Sequence, residues 1–251
     1  MNSQFNNKPD ISLFFPVYND AHSISDITVL AIELLNEIAN NYEIVIVNDA
    51  SPDDSGVVAD EMARKYTQVK VIHHPRNLGY GSALKSGIKN TKYELICMID
   101  GDHEYDISDL RRMVELRHYY GLIIGFRYKK LYSTKRIFIS YVYNSLLRFL
   151  FKTSFRDIST GIRVFHREIL KTIDLKSNSP FVGAELAIKS MLNGVPVGEV
   201  GIQTFPRTFG SGSATSVKNI ILTIRDMISM WKEVFSDSYQ TPKSRRRRKT
   251  Q

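Results

Sequence analysis

The stretch "ELICMIDGDHEYD", residues 94–106, sets an apolar run directly against four carboxylates, Asp100, Asp102, Glu104 and Asp106. Taken alone, such an acidic cluster is compatible with a solvated loop. The meaning changes if the run is a strand buried on both faces. Its end then lies at a sheet edge, where α/β folds place their ligands. The neighbouring segments bear on that choice.

Similar apolar or β-branched runs occur at "ISLFFPV" (11–17), "EIVIVN" (43–48), "VKVIHH" (69–74) and "GLIIGF" (121–126). Their lengths and continuity predict strands covered on both faces. After the first run, Ile24, Ile27, Leu30, Ala31, Leu34, Leu35 and Ile38 recur at helical spacing. Ser23, with Asp26 three residues on, predicts a capping box at the start of that helix. Repeated strand–helix units predict an α/β fold, a mostly parallel sheet flanked by helices and joined by right-handed crossovers. One edge then collects "PVYND" (16–20), "NDASPDD" (48–54), "HPRNLGYGSALKSG" (74–87), "DGDHEYD" (100–106) and "GFR" (125–127). Five strand ends carrying Asp, Asn, Gly or Arg have the composition of a nucleotide site.

Composition narrows the classes. The chain has 251 residues, 43% of them hydrophobic, enough for one large α/β domain or two small ones, and it shows no internal repeat. The single Cys97 lies within an apolar run, so a disulfide framework is excluded and a reducing cytoplasm is expected. Residues 1–9 lack the apolar core of a signal peptide and are expected to be flexible. No stretch reaches the roughly 18 uninterrupted apolar residues of a spanning helix.

In order and spacing, "FPVYND", "EIVIVNDASPDDS", "NLGYGSALKSGI", "MIDGDHEYDISDL", "GFR", "DISTGIRVFHREIL" and "FPRTFGSGSA" make residues 10–213 resemble a family 2 inverting glycosyltransferase of the GT-A fold. In particular it resembles the polyprenyl-phosphate sugar synthases related to dolichol-phosphate mannose synthase. It implies a single Rossmann-like catalytic domain and a nucleotide-sugar donor, UDP- or GDP-linked. A nucleotide diphosphate leaves poorly while its charge is uncompensated, so Mg²⁺ or Mn²⁺ on hard oxygen ligands is implied as cofactor.

By the same resemblance, Asp100 and Asp102 are the metal-binding pair and Glu104 takes the place of a third ligand. Gly101 between them implies close approach of the diphosphate. Asp49 is implied at the base edge, Pro16, Tyr18 and Asp20 around base and ribose, and Gly79 and Gly81 where backbone approaches the donor. Asn48 departs from the Asp of many relatives, and the glycine-rich segment does not fit the P-loop pattern. Asp106 reads as a turn or cap residue, His103 as loop filler and Lys85 as solvated.

Arg127, Arg163 and Arg207 come from distant segments, and the resemblance places them, with Asp102, in the catalytic group around the donor and acceptor phosphates. Arginine suits that task through its planar, permanently charged fork, although surface ion pairs would use the same residue type. Asp157 and Ser159 are expected to orient that loop or the sugar. Many relatives that glycosylate a hydroxyl carry a Glu-Asp pair before a helix as general base. Aligning "FVGAELAIK" on that pattern puts Val182 and Gly183 there, leaving Glu185 as the one arguable base. A phosphate monoester is already ionised and needs charge neutralisation instead, which favours a lipid-phosphate acceptor.

A lipid acceptor requires a membrane surface. In the expected helix 135–152, Arg136, Ser140, Asn144, Arg148 and Lys152 recur every four positions, leaving the remainder apolar and aromatic for an interfacial role. The amphipathic segment 214–235 carries Ile220, Ile221, Ile224, Met227, Ile228, Trp231, Val234 and Phe235, and burial in the domain or in a homo-oligomer would also explain either helix. Residues 236–251 are expected to be a disordered basic tail, six basic residues against one acid, attracted to anionic lipid. Peripheral attachment to the cytoplasmic, inner face of the membrane follows. A nucleic-acid partner is not expected, because no nucleic-acid-binding fold accompanies the basic run. Extension of a glycan or other hydroxyl acceptor, and sugar-nucleotide binding without catalysis, stand as the competing readings.

Overall fold

The computed structural model describes residues 7–128, 134–206 and 216–236. Seven strands form one sheet in the order β3-β2-β1-β4-β6-β5-β7. They are β1 Ile11–Val17, β2 Tyr42–Asn48, β3 Val69–His73, β4 Leu95–Met98, β5 Leu122–Arg127, β6 Arg163–His166 and β7 Val197–Ile202. All neighbours run parallel except β6, which is antiparallel to both β4 and β5. The five expected runs are all strands, and β6 and β7 are additions.

Seven α-helices flank the sheet among the described residues: α1 Ala21–Ile38, α2 Ser55–Lys65, α3 Tyr80–Asn90, α4 Asp109–Glu115, α5 Thr134–Phe151, α6 Val182–Leu192 and α7 Val217–Phe235. Strand side chains alternate faces, so strands covered on both sides bury nearly every residue, as β1 and β2 do, and most of these residues are apolar. Leu13, Phe15, Ile44 and Ile46 pack beneath α1, α2 and α4 with Ile27, Met62 and Leu110. Phe14, Val45 and Val47 join Leu84, Leu147, Leu186 and Met227 of α3, α5, α6 and α7 on the opposite side. The structure is thus a three-layer α/β domain.

The capping box expected at Ser23 does not form. Helix α1 begins two residues earlier, after Asp20, and the Ser23 hydroxyl donates to the carbonyls of Asp20 and Gly101. The serine therefore ties the first turn of α1 to the acidic loop.

Strand β6 matters most for the site. Its register opposite β4 pairs Arg163 with Met98, two residues before Asp100. Because β6 runs the other way, its amino end meets the carboxyl end of β4. A cation from a segment 63 positions away is thereby delivered to the acidic loop.

Candidate active site

The loops leaving β1, β2 and β4 each contain a non-glycine residue in the left-handed region: Asn19 (φ 66°), Ala50 (φ 54°) and His103 (φ 58°). Such conformations persist only where surrounding contacts hold them, and they concentrate at functional sites. Here the contacts are cross-links between loops. Asn19 N–H donates to Ser51 Oγ at 3.3 Å, Asp20 N–H to Ser55 Oγ at 3.0 Å and Ala21 N–H to Asp53 Oδ2 at 3.1 Å. Asp20 Oδ2 accepts from Tyr18 N–H at 3.0 Å, which leaves the Tyr18 ring exposed at the edge. Pro16 lies inside β1, paired in register with Val47.

Asp49 is buried, and its carboxylate accepts from His74 Nδ1 (2.6 Å), Leu78 N–H (2.8 Å) and Gly79 N–H (2.8 Å). Its contacts build the turn into α3. Gly79 makes that turn at φ 89°. Gly81 N–H donates to Asn178 O at 3.1 Å, and a Cβ on Gly81 would lie 2.5 Å from the Asn178 carbonyl carbon. The close approach that Gly81 permits is therefore to the Asn178 backbone. Lys85, expected to be only solvated, donates to Asn178 Oδ1. Gly101 likewise makes room for β1, since a Cβ there would meet Val17 Cγ1 at 2.8 Å and Pro16 O at 2.9 Å.

Asp100 sits just beyond β4. Its Oδ1 accepts from the Tyr80 hydroxyl at 2.8 Å, and its Oδ2 faces Gly161, where a Cβ would lie 1.7 Å away. Burial pushes its pKa up to about 6; the Tyr80 hydrogen bond and Arg163 oppose this, while Glu104 and Asp20 add to it. Asp102 Oδ1 accepts from Glu104 N–H at 3.1 Å, and Asp106 Oδ1 from Ser108 N–H at 2.9 Å, the turn role expected of Asp106. Glu104 is buried and forms an ion pair with Arg136 of α5 at 3.5 Å. Among the described residues no three acids, histidines or cysteines converge as a preformed cage. Asp100 and Asp102 nevertheless fit a divalent ion that takes its other oxygens from a diphosphate. A carboxylate whose charge is disfavoured by burial and by neighbouring acids is relieved by such a cation.

Three arginines were expected around phosphates. Arg163 is 2% exposed, its Nη2 donates to Ile158 O at 2.7 Å, and its buried Nε finds no hydrogen-bond partner among the described residues. Its guanidinium lies against Gly183 in the first turn of α6, where a Cβ would stand 2.3 Å from Nη1. Arg127 instead holds the 157–162 loop: Nε and Nη2 donate to the buried Asp157 at 2.7 and 3.0 Å, and Nη2 to Ser159 Oγ at 2.7 Å. Asn144 of α5 donates to the same carboxylate at 3.2 Å and accepts from Ile158 N–H at 3.0 Å. Arg207 lies outside the described residues.

Glu185 is not placed to act as a base. It is 1% exposed, with Oε1 and Oε2 accepting from Lys189 Nζ (2.7 Å), Lys176 N–H (3.0 Å) and Ser177 N–H (2.9 Å). Burial pushes its pKa up, but Lys189 and the two backbone donors prevail and hold it below the ordinary carboxylate value. An ionised acid so engaged is a structural strut.

Helices α5 and α7 present apolar faces to solvent. On α5 the polar stripe turns inward through Arg136, Asn144 and Arg148, while Phe138, Tyr141, Val142 and Phe149 (81%) are exposed. Leu147, which the four-residue polar spacing assigns to the apolar outer face, is buried. On α7, Val217, Ile221, Ile224, Ile228, Trp231 and Phe235 are exposed in alternating steps of four and three. Its Asp226 accepts from Ser179 N–H and its Glu233 pairs with Lys176 and Lys189, whereas Lys218, Arg225 and Lys232 face outward. No helix of the described residues is long and apolar enough to cross a membrane.

The site residues beyond the sequence expectations are Tyr80, Gly161, Gly183, Arg136 and Asn144. The two glycines stand in the quoted "STGIR" and "FVGAE" segments, but nothing local identifies the side chains that fill their space.

Comparison with known proteins agrees with this architecture. The family profile described as "Glycosyl transferase family 2" matches residues 12–174. Polyprenol monophosphomannose synthase of Mycolicibacterium smegmatis is 28% identical over 211 residues, covering 79% of this chain and 78% of that protein. Glycosyltransferase AglD of Haloferax volcanii is 24% identical over 88% of this chain, which spans only 37% of the relative's length. The undecaprenyl-phosphate 4-deoxy-4-formamido-L-arabinose transferase of Edwardsiella ictaluri is 27% identical over 68% of this chain and 53% of its own. In fold, the chain is similar to glucosyl-3-phosphoglycerate synthase of Mycobacterium tuberculosis, solved with Mn²⁺, UDP-glucose and phosphoglyceric acid. The TM-score is 0.69 at 15% identity, covering 92% of this chain and 82% of that one.

Proposed function

This chain belongs to glycosyl transferase family 2, and from that premise we propose that it transfers a sugar, with inversion, from a UDP- or GDP-sugar to a polyprenyl phosphate at a membrane surface. One observation carries the choice of acceptor. Where hydroxyl-glycosylating relatives are expected to place a carboxylate base, this chain has Gly183, and the space is filled by the Arg163 guanidinium. A positive group there would bind a phosphate and would disfavour a base. The remaining candidate base, Glu185, is committed to Lys189. The names of the mycobacterial and Edwardsiella relatives, a polyprenol monophosphomannose synthase and an undecaprenyl-phosphate transferase, support the same class.

In this reading the Tyr18 and Asp20 loop and the Asp49-braced turn flank the base and ribose, and Asp100 and Asp102 face the diphosphate. A bound Mg²⁺ or Mn²⁺ would offset charge on the leaving diphosphate. Arg163 orients the acceptor oxygen, which is already ionised, so no side chain has to accept a proton. Arg127 acts through Asp157 by holding the 157–162 loop that carries the chain to Arg163.

The lipid surface is read from the outward faces of α5 and α7. On α7 the acids Asp226 and Glu233 turn toward the domain while Lys218, Arg225 and Lys232 face out beside apolar side chains, the sorting an anionic interface favours. Helix α5 adds the exposed Phe138, Tyr141, Val142 and Phe149. The basic segment 236–251 would add salt-sensitive attraction from the cytoplasmic side. Radiolabelled UDP- and GDP-sugars tested with polyprenyl phosphate and with the matching polyprenol give the decisive comparison. Product is expected from the phosphate alone, and turnover confined to hydroxyl acceptors would overturn the proposal.

A further inference from the structure

The first residue of α3 is a tyrosine aimed at the acidic loop. Tyr80 follows Gly79, whose N–H is held by Asp49, and precedes Gly81, whose N–H is held by Asn178 O. Backbone contacts therefore fix the start of the helix from two sides. The Tyr80 ring packs against the core beneath α3 and α6. Its hydroxyl donates to Asp100 Oδ1 at 2.8 Å while Gly161 closes on Oδ2. The Asp100 carboxylate is thus clasped between a hydroxyl and a backbone that tolerates no side chain. The phenol is the donor of this pair, because an ionised carboxylate can only accept.

We propose that Tyr80 is a positioning residue for the donor site, holding Asp100 in the rotamer that meets a divalent cation and diphosphate. This rests on the glycosyltransferase reading above. A carboxylate oxygen has two lone pairs, so a hydrogen bond from Tyr80 leaves Oδ1 able to accept a second partner. Partners of this kind orient metal-binding carboxylates, and their removal characteristically weakens metal affinity by about 10- to 100-fold. Tyr80→Phe keeps the ring and its packing and deletes only the hydroxyl.

The test is titration calorimetry of UDP and of GDP, each with Mn²⁺ and with EDTA, on the full-length protein and on Tyr80→Phe. Thermal unfolding of both metal-free proteins serves as the fold control. Wild type should show a Mn²⁺-dependent gain in nucleotide affinity, and Tyr80→Phe should lose about tenfold or more of that gain. Affinity in EDTA should change less than about twofold. In an Asp100→Asn background, Tyr80→Phe should add nothing, because the two changes remove one interaction. A gain that Tyr80→Phe retains in full, or an equal loss with and without Mn²⁺, overturns the role of Tyr80 alone. Absence of any Mn²⁺-dependent gain in wild type overturns the donor reading and the Tyr80 role together.

Discussion

Arg163 and Gly183 fit against each other: the arginine guanidinium lies where a side chain at position 183 would begin, 2.3 Å from the position of a Cβ. The glycine is therefore a condition for the arginine's placement. Gly183→Ala should displace the guanidinium and cut turnover with a lipid phosphate by at least about tenfold, equivalent to roughly 1.4 kcal/mol. Arg163→Lys, which keeps the charge but loses the planar fork, should do likewise. Initial rates with melting temperatures check both. Full activity in either variant would remove Arg163 from the reaction.

Asp102→Asn should abolish transfer yet leave the melting temperature nearly unchanged. Asparagine retains an oxygen that can accept from Glu104 N–H, whereas a cation needs the charge. An active variant with an unaltered Mn²⁺ requirement would contradict the metal assignment.

Glu185→Gln should affect stability, not chemistry. It removes the negative charge nearest the buried Lys189, which keeps the Asp174 carbonyl and the more distant Glu233, a loss worth up to about 3 kcal/mol in chemical unfolding at pH 7. The folded-state pKa of Glu185 lies below the ordinary value of 4.5, so its contribution is present above that pH. It fades as pH falls through the folded pKa, and the gap between variant and wild type should close under acid conditions. Turnover per folded molecule should hold at neutral pH; a collapse of turnover at wild-type stability would restore Glu185 as a base.

Phe149→Glu on α5 and Trp231→Glu on α7 should each reduce sedimentation with anionic vesicles, and Phe149→Glu should change stability by less than about 0.5 kcal/mol, since Phe149 is 81% exposed. The attachment should weaken as salt rises. Leu147→Glu, by contrast, should destabilise the fold, because Leu147 is buried. Equal vesicle binding by all variants would count against the interfacial faces.

How far local sequence reaches is clearest along β4 and α5. The run before Asp100 announces a strand, and the polar loops after five such runs announce a shared edge, because burial on both faces leaves a strand few other compositions. Periodicity also announces α5 as an amphipathic helix, but it does not say which face turns inward. The inward face is mixed: Leu147 and Phe151 are buried beside Asn144, which finds Asp157, while the half-buried Arg136 reaches Glu104, because a paired polar group can be buried where an unpaired one cannot. The aromatic face is left to solvent. The same limit applies to Arg163, Gly161 and Gly183. Their residue types are visible in the chain, but an antiparallel β6 inserted between β4 and β5 is a long-range pairing, and only that pairing brings Arg163 to Asp100 and to the first turn of α6. Sequence by itself therefore determined five of the seven strands, the edge they share and the chemistry available there. Tertiary structure decided which charges meet, because the partner that satisfies a buried polar group is chosen by packing across the chain and leaves no local trace.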